Sequence, residues 1–177
     1  MSFAVPVLEI PLLETGRLRL RAPEIGDFEH YAAFLASDRA IHERGPMDGR
    51  AAWREFCASL ACWPLRGFGG WSVTDHAGGA YLGEVGLFQP VEYPEPEIGW
   101  LVVPEAEGKG IAHEAALAVR AWAYRTLGLR TLVSYIDPAN ARSIRLAERL
   151  GAVLDPNAPG IDPGDLVFRH PGPEALS

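Results

Sequence analysis

The stretch Glu97-Ile98-Gly99-Trp100-Leu101-Val102-Val103-Pro104-Glu105-Ala106-Glu107-Gly108-Lys109-Gly110-Ile111-Ala112-His113-Glu114-Ala115 decides the fold of this chain. Its opening part is apolar and β-prone at Ile98, Trp100, Leu101, Val102 and Val103, and predicts a strand. Its closing part begins a helix from Ile111 to Leu127, in which Ile111, Ala115, Leu117, Ala118, Trp122 and Leu127 form a broad apolar face. Between them lies a Gly-Lys-Gly turn. Gly108 and Gly110 let the backbone curl so that successive N–H groups point into one concavity, and the helix start adds partial positive charge. Such a turn accepts a phosphate or pyrophosphate, with Lys109 as a mobile positive charge. A Walker loop is excluded, because the earlier glycine and the following Ser/Thr are missing. A dinucleotide fingerprint is excluded because His113 stands where its third glycine would be. A bend serving chain reversal alone is the other reading of the loop by itself.

Upstream, Leu18 to Arg21 alternates apolar and basic residues as a half-exposed strand does. Asp27 is placed to cap a helix running through Tyr31 to Leu35, and Asp48 to cap another from Arg50 to about Ala61. Trp71–Thr74 and Tyr81–Phe88 read as a hairpin about the turn Asp75-His76-Ala77-Gly78-Gly79, and Tyr93-Pro94-Glu95-Pro96 breaks the chain before the deciding strand. Downstream, Gly128 suits a left-handed helix C-terminus, and Thr131 to Ile136 is a strand. Asp137-Pro138-Ala139-Asn140 then turns into a short helix ending at Gly151, and Asp165–Arg169 is a last strand. This order predicts an α+β class with a mixed sheet.

A length of 177 residues predicts one domain, 1–177, with its core over about 12–170. Pro6 and Pro11 interrupt the apolar start, which lacks the basic beginning of a signal peptide, and no apolar run is long enough to span a membrane. Cys57 and Cys62 lie in a predicted helix without metal-ligand spacing and read as small apolar residues; no metal is expected. A cytoplasmic protein is the expectation. The net charge of −7 argues against a nucleic-acid partner. Glu92, Glu95, Glu97, Glu105 and Glu107 fall together without a lysine or arginine between them, so a cationic small molecule or amine-bearing peptide is an expected ligand.

The segment Asn140-Ala141-Arg142-Ser143-Ile144-Arg145-Leu146-Ala147-Glu148-Arg149-Leu150-Gly151, taken with the Gly-Lys-Gly turn, resembles the GNAT superfamily of acyl-CoA-dependent N-acetyltransferases. The pieces Thr15–Arg21, Tyr81–Leu87 and Glu97–Trp100 extend the likeness, in the right order, toward the ribosomal-protein alanine N-acetyltransferase branch. The resemblance implies a mostly antiparallel mixed sheet with a central splayed parallel strand pair, flanked by helices. It implies acetyl-CoA as co-substrate, its pyrophosphate on the backbone of Gly108, Lys109, Gly110, Ile111 and Ala112. It implies that the pantetheine arm pairs with Leu101, Val102 and Val103, where an N–H polarises the thioester carbonyl, and that Asn140 and Ser143 contact the cofactor. Two departures stand out: Glu107 occupies a position often held by Gln or Arg, and Ala147 replaces the tyrosine that in many members protonates the departing thiolate. Ser143 is then the expected proton donor, or a helix N3 serine bonding locally.

The implied reaction is attack of a neutral amine on the thioester. Glu97 is the expected base, and burial beneath Trp100 or Tyr93 would have to raise its carboxyl to make it effective; Glu84, on the hairpin strand, is the alternative. Trp53, Phe68, Glu84 and Tyr93 are the expected acceptor-binding residues. Arg142, Arg145 and Arg149 share one helix face, either on the adenosine phosphate or in solvent. The expected partner is a small-molecule amine or a protein N-terminus, with a homodimer possible. The alternative function is a non-catalytic acyl-CoA-binding sensor of the same fold.

Overall fold

A computed structural model describes residues 9–176 apart from 44 and 78, so Pro6 and Gly78 lie outside the described residues. One eight-stranded sheet runs through it. The strands are β1 (Leu13–Glu14), β2 (Leu18–Arg21), β3 (Gly70–Asp75), β4 (Tyr81–Phe88), β5 (Glu97–Val102), β6 (Val133–Ile136), β7 (Val153–Leu154) and β8 (Leu166–Arg169). The spatial order is β1-β2-β3-β4-β5-β6-β8-β7, antiparallel throughout except between β5 and β6. Four α-helices accompany it: α1 (Phe28–Leu35), α2 (Gly49–Arg66), α3 (Ile111–Thr126) and α4 (Ala141–Arg149). No helix among the described residues is long and apolar enough to cross a membrane.

The parallel pair is the feature that makes a site. Glu97 pairs with Val133, and beyond that point no ladder pair joins β5 to β6. The two strands diverge, leaving a V-shaped opening on the α4 side. Ser134 Oγ donates to Ile98 O at 2.7 Å at the closed end of the V. That serine in turn lies 3.0 Å from His170 Nε2, and His170 Nδ1 lies 3.4 Å from Nη1 of the buried Arg120. Arg120 Nη1 also donates to Leu150 O at 2.6 Å. Burial, with the Arg120 charge beside it, pushes the His170 imidazole down to about 3, so it is neutral and serves as a hydrogen-bond bridge.

Packing explains the rest of the architecture. Ala115, Ala116, Val119 and Ala123 of α3 are fully buried, and their small side chains let the helix lie close to the sheet. The helix α2 runs well past the expected end at Ala61 and closes on Gly67 in the left-handed region. The reason lies on its buried face: Trp63 meets Trp71 edge-on at 4.6 Å, and its Nε1–H donates to Gly70 O at 3.0 Å. Asp48 caps α2 as expected, accepting from Ala51 N. Asp27 does not cap α1 with its side chain. Its buried carboxylate instead takes two hydrogen bonds from Arg21 at 2.7 and 2.8 Å and one from Ser72 Oγ at 2.6 Å, tying β2, β3 and the start of α1 together. Burial alone would raise this carboxyl, but the hydrogen bonds from Arg21 and Ser72 outweigh it and hold the group below its usual range. Cys57 and Cys62 are half-buried free thiols, and burial pushes the Cys62 thiol up.

Candidate active site

Two cavities flank β5. One, of about 500 Å³, runs between the free side of β5 and the N-termini of α3 and α4, lined by Leu101, Val102, Gly108, Gly110, Ile111, Ala112, Asn140 and Ser143. Gly108 and Gly110 sit at φ +72° and +77°, backbone that side-chain-bearing residues rarely adopt. Gly110 is the N-cap of α3 and brings no capping side chain, so the first-turn N–H groups of the helix face the cavity as an anion cradle. The loop is fastened from behind: Arg17 Nη1 donates to Lys109 O at 3.1 Å, and its guanidinium pairs with Glu114 at 2.6 Å. Thr15 Oγ1 completes the anchor, donating to the same carboxylate at 2.5 Å.

Glu107 is explained by its partners. Arg142 Nη1 reaches both of its oxygens at 3.2 Å, and Arg39, from the turn after α1, pairs with it closely. Two guanidinium groups face one carboxylate, so the mouth of the cavity stays cationic, and Arg145 and Arg149 add to it. These residues fit the pyrophosphate-bearing end of coenzyme A: backbone donors at the loop, guanidinium groups around it. Arg39 is not legible in the sequence, because 68 residues separate it from Glu107 and no local motif marks it.

The other cavity, of about 600 Å³, opens on the opposite side of β5 and is lined by Glu43, Glu55, Glu84, Glu97, Asp137, Asp162 and Asp165, with no lysine or arginine among the described lining residues. Its deepest carboxylate is Glu84, opposite Leu101 in the β4–β5 ladder. Burial, with Asp27's charge adding to it, pushes Glu84 up to about 7. Ser59 Oγ lies against it close enough to temper the rise, yet has no formed hydrogen bond to any described residue. Gly70 makes this approach possible, since a Cβ there would fall on Ser59 Oγ and the Glu84 carboxyl. Burial, then the charge of Glu84, pushes the Tyr31 phenol up, so a neutral donor lines the same cavity.

The expected site residues fall into three groups. Leu101, Val102, Gly108, Gly110, Ile111, Ala112, Asn140 and Ser143 gather around the cationic cavity. Asn140 is also the N-cap of α4, accepting from Ser143 N at 3.2 Å, while Ser143 Oγ accepts from Trp100 Nε1 at 3.3 Å across the V. Glu84, Glu97 and Tyr93 line the acidic cavity. Glu97 accepts from Tyr135 N at 3.2 Å, which holds β6 where it parts from β5. The third group lies elsewhere. Val103 is buried and gives its N–H to Leu82 O at 3.0 Å, so that N–H belongs to the β4 side. Lys109 is exposed and outside the cavity, which the arginines serve instead. Phe68 is packed into the core, and Trp53 is an exposed ring meeting Phe28 edge-on at 5.0 Å. The acidic rim expected around Glu95 is also reassigned: Arg169 binds both oxygens of Glu95 at 2.8 Å. The acidic surface is the cavity wall instead.

A diverging parallel pair, a glycine cradle at a helix start and an adjoining carboxylate-lined cavity fit an acyltransferase of the GNAT class. The family model described as an acetyltransferase (GNAT) domain matches residues 17–153, and the chain belongs to that family. An acetyltransferase from Agrobacterium tumefaciens is 42% identical, with a TM-score of 0.89 over 96% of this chain and 99% of its own. A ribosomal-protein-S5-alanine acetyltransferase from Vibrio fischeri shares the fold at 16% identity, TM-score 0.63, over 91% of this chain and 95% of its own. A spermidine N-acetyltransferase from Vibrio cholerae, solved in complex with CoA and spermine, shares it at 21% identity, TM-score 0.67, over 88% and 94%. Acetyl-CoA is accordingly the acyl donor, and the chain is an acetyltransferase.

Proposed function

We propose that the chain transfers the acetyl group of acetyl-CoA to a primary amine on a molecule that carries further positive charge, a small cationic amine or the N-terminus of a basic peptide. One observation carries this reading: a cationic cavity and a carboxylate-lined cavity meet at Trp100 and Leu101, on the open edge of β5. In this reading the pyrophosphate lies on the N–H groups from Gly108 to Ala112, between Arg39 and Arg142. The pantetheine arm follows Leu101 and Val102 and brings the thioester to the V, and the amine approaches from the acidic side.

The amine must shed a proton before it attacks. Passing a proton from a lysine-type amine to an ordinary carboxylate near 4.5 costs roughly 8 kcal/mol. A carboxylate held at about 7 brings this to roughly 4.6 kcal/mol, and an α-amine to roughly 1 kcal/mol. Glu84 therefore replaces Glu97 as the proton acceptor in this reading, with its buried charge also attracting the ammonium group. Asn140 and Ser143 orient the arm, and the main-chain N–H of Val102, which alternates away from the β4 ladder, polarises the carbonyl.

The test is release of CoA thiol from acetyl-CoA across a panel of mono-, di- and polyamines and basic peptides, with mass spectrometry of the products. Acetylation of a cationic amine is expected. Binding of acetyl-CoA without turnover for every amine would identify a non-catalytic acyl-CoA-binding chain instead.

A further inference from the structure

His42 and Asp137 form a pair that the reading above leaves unused. His42 ends the 3₁₀ turn Asp38–His42 after α1, and Asp137 directly follows β6. His42 Nδ1 lies 2.7 Å from Asp137 Oδ2, and Asp137 Oδ1 accepts from Ala139 N at 2.8 Å, which fixes the carboxylate. A carboxylate that holds Nδ1–H leaves Nε2 of a neutral imidazole with its lone pair for another partner. Both residues line the acidic cavity, and both also line the narrow opening of about 40 Å³ between the splayed strands, with Trp100, Asn140 and Ser143. The pair thus stands where acceptor and thioester meet. Glu43 and Glu97 face the same two openings, and Arg39, on the same turn, is turned to Glu107.

The chemistry of the reaction asks for a group at this place. An ammonium ion that becomes an amide loses two protons, while the departing thiolate gains one. Glu84 accounts for the first. The second leaves the nitrogen only after the C–N bond has formed. Ala147, fully buried on α4, brings no hydroxyl to this opening. The hydroxyl of Ser143 is a neutral alcohol, a far weaker acid than an imidazolium.

We infer that His42, oriented by Asp137, carries the second proton from the acceptor nitrogen of the tetrahedral intermediate to the departing sulfur. The inference rests on the acetyl-transfer reading above. The step balances: the N–H bond breaks and its proton binds Nε2, with Asp137 stabilising the imidazolium. The C–S bond breaks with its electron pair on sulfur, the proton passes from Nε2 to sulfur, and neutral imidazole is restored.

The experiment compares wild type, H42Q and H42A at saturating acetyl-CoA, with the amine that the wild type uses best. Glutamine keeps a donor for Asp137 but cannot relay a proton, and melting curves with acetyl-CoA titrations establish that each variant is folded and binds. The expected result is a loss of kcat of at least about 100-fold in both variants, with KM for both substrates within about threefold. Added imidazole should raise kcat of H42A at least about tenfold and leave H42Q unchanged. A folded H42Q with kcat within about threefold of wild type would overturn the inference, and so would an H42A loss that imidazole does not recover. No turnover by the wild type with any amine would overturn the acetyl-transfer reading itself, and this inference with it.

Discussion

Glu84 shows at the scale of one residue how burial makes chemistry. It sits on β4 with the bare Gly70 of β3 beside its carboxyl to leave room for it, and burial lifts it to about 7. A carboxyl whose folded pKa lies above its unfolded one keeps its proton where the unfolded chain has already released it. The contribution to stability is therefore present below about pH 4.5 and is lost as the pH rises through about 7, by about 3 kcal/mol at 1.36 kcal/mol per unit. E84Q removes this dependence, and urea melts at pH 5 and pH 8 should show the variant gaining on wild type by up to that amount. The same variant should lose kcat/KM for the amine by about 100-fold or more while its affinity for acetyl-CoA holds. Asp27 is the opposite case, a buried carboxylate saturated with donors. D27N should leave Arg21 with only the more distant and exposed Glu24 as counter-charge and cost about 3 kcal/mol in denaturant unfolding. Because its carboxyl is held low, that stabilisation persists at neutral pH and fades only as the pH falls below the ordinary aspartate range.

The elements divide the work: β5 offers an open edge, the 107–113 loop an anion cradle, and α4 a wall with Asn140 at its start. G110E should force a non-glycine residue into the left-handed region, at about 1–2 kcal/mol, with its Cβ beside the Arg17 guanidinium, and bring a negative charge next to the cradle that the loop forms. Calorimetry should show acetyl-CoA affinity falling at least tenfold, with a circular dichroism spectrum like that of wild type. This part of the site was legible in the sequence because it is local: a strand, two glycines and a helix follow one another within nineteen residues. The turn at Asn140 was legible for the same reason. What escaped depends on contacts between distant segments. Arg39 meets Glu107 only because the turn after α1 folds over the loop, and Glu95 is neutralised by Arg169 from the far side of the chain. Trp53 and Phe68 have the composition of a ligand wall, but Trp53 meets the rings of Phe28 and Phe56 and Phe68 is packed into the main hydrophobic core.

Across the whole molecule, a net charge of −7 conceals two faces of opposite sign. Arginines line one cavity at β5 and carboxylates the other, and in the proposed reading this draws an anionic donor and a cationic acceptor to the same strand edge. Attraction of this kind weakens as salt shortens the screening length from about 30 Å at 0.01 M to about 10 Å at 0.1 M. The most direct test is therefore kcat/KM for CoA release over amines matched in length and differing in charge, measured at low and moderate ionic strength. The account predicts that amines bearing a second positive charge are acetylated fastest, and that their advantage over monoamines shrinks as salt is added. A preference for neutral or anionic acceptors, or an advantage that salt leaves unchanged, would contradict it.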